Sequence, residues 1–255
     1  MSVDTAAVNV PVAVAPRPAD AWARDRRFFT GMALAFMLTV FVGFAPSFYL
    51  KPVFGAPGVS GAPILSPLMH VHGLAFTAWI VVLLVQTRLV AGRRLALHRR
   101  IGYGAAALAV AMVVLGVMAA VDAARRGAAP PGGPPPLVFM IIPIADMAIF
   151  ATLVGAGMWF RNRSEIHKRL MLVSTIAILT AAIARWPGVL AAGPLAFFLL
   201  TDLFVVVGMV YDRITRGRVH PAYWWGGGAL LASQIGRLAL SGTSAWLAFA
   251  TWLTR

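Results

Sequence analysis

Residues 137–160 read LVFMIIPIADMAIFATLVGAGMWF, an unbroken apolar run whose single charge is Asp146. About 20 apolar residues are needed to cross the hydrocarbon of a bilayer, and this run has that length. Working outward, the pattern recurs in both directions. Towards the N-terminus lie residues 28–50 between Arg27 and Lys51, residues 64–87 ending before Arg88, and residues 101–121 between Arg100 and Asp122. Towards the C-terminus lie residues 170–186 after Arg169, residues 194–211 containing Asp202, and residues 222–240, which stop at Ser241-Gly242-Thr243-Ser244. The expected fold is all-α: an integral membrane bundle of about seven transmembrane helices.

Composition agrees. Of 255 residues, 60% are hydrophobic and 12% charged, against about 25% charged in soluble domains. There are 22 Lys and Arg against 8 Asp and Glu. Because the basic residues sit between the apolar runs, they suit a lipid surface and not nucleic acid. The absence of cysteine excludes disulfides, thiolate metal sites and thiol catalysis.

Residues 1–27 lack the charged start and apolar core of a signal peptide, with Pro11, Pro16 and Pro18 breaking the apolar stretch, and read as a flexible cytoplasmic tail. Residues 28–240 form the transmembrane domain, one helix followed by three hairpins. Residues 241–255 carry Trp246 and Trp252 on a segment too short to span, which predicts a periplasmic-side interfacial helix. The Pro- and Gly-rich stretches 51–67 and 127–136 are read as linkers without regular structure. With the N-terminus inside, sixteen basic residues fall on the cytoplasmic side and five outside, with Arg237 within the last span. That asymmetry places the N-terminus in the cytoplasm of a bacterial-type inner membrane.

Each inner loop repeats one spacing, Arg four residues before His: Arg94 and His98, Arg163 and His167, Arg216 and His220. A rising helix follows each His. Two readings stand: each imidazole packs at the start of its helix and bonds a carbonyl, or His98, His167 and His220 converge to hold a divalent metal, or two of them a heme iron. A second polar set belongs to the outer half: His70, His72, Asp146, Asp202, Arg185, Gln234 and Arg237. Asp146 lies about 14 Å along its helix and Asp202 about 12 Å along its own, at 1.5 Å per residue. Either the two carboxylates pair with Arg237 and Arg185 and lock the helices, or the set lines an outward-opening pocket. Within the last hairpin Asp202 is expected to pair with Arg237, with Gln234 as a second donor.

No nucleotide-binding glycine motif, zinc-protease motif or nucleophile elbow is present. The only lysines, Lys51 and Lys168, lie in expected loops, which removes a retinal Schiff base. Leu97-His98-Arg99-Arg100-Ile101-Gly102-Tyr103 and Ile166-His167-Lys168-Arg169-Leu170-Met171 resemble loops of uncharacterised bacterial multi-helix membrane proteins, a resemblance covering roughly the second to fifth helices. More distantly the layout is similar to cytochrome b561-like heme proteins, which place paired histidines on neighbouring helices; here the histidines lie at helix ends. That resemblance implies heme b and redox or electron-transfer work, with a redox partner. The alternatives are a small-molecule carrier or receptor using the outer pocket, and an assembly or scaffold subunit whose basic face docks a partner protein.

Overall fold

The computed structural model describes residues 18–54, 65–129 and 133–255; among them every regular element is helical. In chain order these are α1 (Pro18–Phe44), which runs into a π-helical turn (Ala45–Tyr49), then α2 (Lys51–Phe54), α3 (Pro67–Ala91), α4 (Leu95–Arg125), α5 (Pro136–Phe139), α6 (Ile141–Trp159), α7 (Ser164–Ile183), α8 (Pro194–Arg216), α9 (Pro221–Leu240) and α10 (Ser244–Leu253). Among the described residues, six helical stretches are long and apolar enough to cross a membrane: α1 with its π-turn, α3, α4, α5–α6, α7 and α8. The chain thus has the make-up of a multi-pass membrane protein. Helix α9 has 20 residues, but Gln234, Arg237 and Gly226–Gly227–Gly228 dilute its apolarity.

Helix α7 is the axis of the bundle. It packs against α1, α6, α8 and α9, and Trp79 of α3 donates its indole N–H to the Thr175 hydroxyl at 3.1 Å. Around it α1 meets α3, α3 meets α4, α4 meets α6, α6 meets α9 and α9 meets α8. Phe28 stacked on Tyr211 at 3.8 Å, with Phe36 against Phe204, joins α8 back to α1. The sequence of α7 permits this position because its polar side chains are small and bond within the helix. Ser174 and Thr175 both donate to the Met171 carbonyl, and Thr180 to that of Ala177, so all faces can be buried without orphaned hydroxyls. Gly43 lets α1 touch it backbone to backbone: a Cβ there would stand 2.2 Å from the Ala182 carbonyl oxygen.

The outer ring divides its residues by face. On α8, Phe197, Thr201, Val205, Gly208 and Asp212 are buried, while Leu195, Leu199, Leu203, Val210 and Ile214 are exposed. An amphipathic helix whose exposed stripe is still leucine and valine suits lipid contact, not water.

Several expected boundaries move. Helix α1 already begins at Pro18, so residues 18–27 are helical where a tail was expected; residues 1–17 of that tail lie outside the described residues. Helix α4 begins at Leu95, placing His98, Arg99 and Arg100 on the helix. Likewise α7 begins at Ser164, so Lys168 is helical. Of the linker 51–67, residues 51–54 form α2 and 55–64 lie outside the description, as do 130–132 of the second linker. The run 137–160 breaks at Met140 into α5 and α6; Pro143 has no N–H to bond the Phe139 carbonyl, which removes the rung that would join them. Helix α10 is held by protein contacts as well: Trp246 donates to the Leu137 carbonyl at 2.8 Å, Arg125 donates to that of Thr254 at 2.9 Å, and Ala250 is fully buried.

Candidate functional site

The repeated inner turns become alike in two cases and different in the third. Arg94 and Arg163 occupy the N-cap positions of α4 and α7, which puts His98 and His167 each at the fourth residue of its helix. Their rings stand 6.3 Å apart between centroids with an 82° angle between planes. The Nδ1 of His167 is 2.8 Å from the Gly157 carbonyl on α6, whereas His98 Nδ1 is buried without a partner. His220 does not join them. Pro221 forces the preceding residue out of helical geometry, so His220 becomes the N-cap of α9 and its Nδ1 accepts from the Ala222 N–H at 3.1 Å. Burial, followed by the Arg169 charge, holds its imidazole below the ordinary histidine value, which keeps it neutral for that role. The expected convergence of three histidines is therefore corrected to a pair. Among the described residues no group of three His, Asp or Glu side chains is placed to hold a metal ion.

Beside His220 lies an ion cluster that residue spacing does not announce. Arg169 is fully buried and forks onto Asp212 through Nε at 2.8 Å and Nη2 at 2.5 Å, while its Nη1 donates to Glu165. Asp212 also accepts from Arg216 at 3.0 Å and from the His220 backbone N–H at 3.1 Å. Asp25 of α1 accepts from Lys168, Arg216 and the Tyr211 hydroxyl at 2.6–2.9 Å. Four elements, α1, α7, α8 and the start of α9, are knotted here. The legible signal is that Asp25, Glu165 and Asp212 sit among many bases at helix ends. Carboxylates in such company are placed to pair with them.

The outer set divides into three. Asp146 pairs with Arg237 Nη1 at 2.6 Å, both buried, and Arg237 also donates to the Ser233 hydroxyl at 2.9 Å. Asp202 instead accepts from Gln234 at 2.9 Å. The expected Asp202–Arg237 pair is thus corrected: with α9 between α6 and α8, residue 237 turns toward α6 and residue 234 toward α8. Arg185 pairs with neither aspartate. Its guanidinium lies 4.5 Å over the Phe44 ring and one nitrogen donates to the Ala181 carbonyl. His72 stacks on Phe76 at 4.2 Å with its Nδ1 buried and unpartnered. His70 is exposed, its Nδ1 3.0 Å from the Ser66 carbonyl; the two histidines of α3 are separated as residues two apart on a helix must be.

No family model, curated protein or solved structure matches this chain. Its long apolar helices define a helical multi-pass membrane protein.

Proposed function

We propose that this chain is a seven-span protein of a bacterial inner membrane, N-terminus cytoplasmic, that binds heme b through His98 and His167 and serves redox or electron transfer. The seventh span is α9, about 30 Å long at 1.5 Å per residue and packed against α6, α7 and α8. Its apolar shortfall comes partly from Arg237, whose charge is already paired inside the bundle. The sixteen-to-five division of basic residues supports the orientation. Exposed Trp159, Trp224 and Trp225 sit at the ends of α6 and α9, at the depth of a membrane interface where indoles settle.

The observation carrying the heme reading is the spacing of the two imidazoles. Their ring centroids stand 6.3 Å apart, near enough that the two residues would hold one heme iron between them. The Gly157 carbonyl holds the His167 ring by Nδ1, the outer contact that leaves Nε2 for a ligand bond. Two imidazoles without a carboxylate suit a porphyrin-held iron better than a bare dication. Arg99 and Arg100, exposed on α4, supply charge for propionates. When bound, the heme supplies one-electron chemistry; the chain's residues hold its iron and set its surroundings. This agrees with the distant likeness to cytochrome b561-like proteins.

The test is the visible spectrum of purified protein before and after dithionite, with H98A, H167A and H220A alongside. A heme spectrum lost in H98A and H167A and retained in H220A is expected. No heme absorbance in protein made with ample heme, or equal absorbance in all three variants, would overturn the reading and leave the pair as helix-start packing.

A further inference from the structure

The turn between α3 and α4 places an arginine where helix geometry ordinarily asks for glycine. The Arg94 N–H bonds the Leu89 carbonyl at 2.9 Å and the Arg93 N–H bonds that of Val90 at 3.0 Å, the closure by which many helices end on a left-handed residue. That residue is Arg93, at φ 58° the one residue other than glycine with positive φ among the described residues. Gly92 stands next to it yet keeps φ −85°. A residue with a Cβ holds the left-handed conformation at a cost, and a cost kept in an exposed turn points to what the side chain does there.

The Arg93 guanidinium lies 4.6 Å from the centroid of the Trp22 ring on α1, and that of Arg26, one turn further along α1, lies 4.4 Å from the same centroid. Arg26 Nη1 donates to the Ala91 carbonyl at 2.9 Å, which ties α1 to the end of α3 and fixes one of the two cations. Trp22, Val90, Arg93 and Leu95 line a cleft of about 400 Å³ beside this pair. Among the described residues no carboxylate forms an ion pair with Arg26 or Arg93. Asp25, next to Arg26 in the chain, is taken by Lys168 and Arg216. Further along the same two helices the exposed side chains are apolar, Leu34 and Leu38 on α1 and Val81 and Val85 on α3, as on a surface that meets lipid tails.

We infer that this cleft binds the phosphate of an anionic membrane phospholipid. The Arg93 fork donates to the phosphate oxygens, Arg26 adds its charge from α1, and the Trp22 indole lies at headgroup depth. The acyl chains continue along the apolar surfaces of α1 and α3. A lipid suits the cleft better than a free anion because the two cations open beside valine and leucine and not into a closed polar cradle. The site rests on the multi-pass membrane fold and does not depend on the histidine pair.

The full chain purified in a neutral detergent, titrated with phosphatidylglycerol or with phosphatidylcholine of the same acyl chains and read by native mass spectrometry, tests this. One phosphatidylglycerol retained per chain is expected, held about fivefold or more tightly than phosphatidylcholine. R93G, which suits the left-handed backbone, should keep the wild-type Tm while weakening that lipid about fivefold, and W22L should weaken it too. R213Q, which removes an exposed arginine elsewhere at the same end of the bundle, should leave retention unchanged. Equal retention of the two lipids, or undiminished retention in R93G, would overturn the inference. Equal weakening in R213Q would reveal a diffuse basic surface and remove the site. Displacement of the lipid by inorganic phosphate at equal concentration would overturn the assignment to a phospholipid. If W22L does not fold, R93G alone decides.

Discussion

The two ends of the bundle treat charge in opposite ways. At the inner end Arg169, Asp212, Glu165, Lys168, Asp25 and Arg216 form a closed network in which each cation has a carboxylate and each carboxylate at least two donors. At the outer end Asp146 and Arg237 pair, Asp202 is held by an amide, and Arg185 rests on an aromatic ring. A closed network resists change because removing any member strands another in a low dielectric. The comparison teaches that the more charged end is knotted together by shared ion pairs, whereas the sparser end relies on one ion pair, one amide contact and one aromatic contact.

Breaking the inner network has the largest expected effect. Arg169→Gln leaves Asp212 almost wholly buried without its bidentate partner, a loss of about 3–5 kcal/mol, read as a lower Tm and poor recovery in detergent. Asp212→Asn added to Arg169→Gln should cost much less than it does alone. Additive losses would show that the network is not closed.

The Asp146–Arg237 pair is expected next, near the lower end of that range, about 3 kcal/mol for Asp146→Asn or Arg237→Gln, with partial recovery in the double variant. Combining Asp202→Asn with Arg237→Gln should give additive losses, since Asp202 is bonded to Gln234. Strong coupling in that second cycle would restore the pairing expected from sequence.

The smallest effect belongs to Arg185→Gln. Where no ion pair is lost, the Tm should move by no more than about 0.5 kcal/mol equivalent, and an upward shift fits removal of an uncompensated charge. A loss comparable to that of Arg237→Gln would show that Arg185 is part of a lock, erasing the contrast between the ends.

Much of the candidate site is legible in the sequence. The residue types at the outer end are identifiable because an ionisable group inside an apolar run must meet a partner or a cavity. Which partner is not legible. Asp202 and Arg237 are neighbours in the chain's last hairpin, yet α9 rotates Arg237 onto α6 and Gln234 onto α8. Likewise His98, His167 and His220 share one spacing, but Pro221 makes the third a helix cap. The inner network is hidden in the sequence because its few acids are scattered among a large excess of bases, on helices far apart in the chain.

The sequence by itself determined the helical class, the apolar segments and the distribution of basic residues, since these follow from local hydrophobicity and the length needed to cross a bilayer. Only the tertiary structure decided that α7 is central, that two histidines meet and the third does not, and that Arg185 stands apart from every carboxylate described. Those outcomes depend on the rotation of each helix about its axis and on which helices become neighbours. A rotation of about 100° between successive residues turns a small change in packing into a different partner, and a periodic pattern along one chain does not record it.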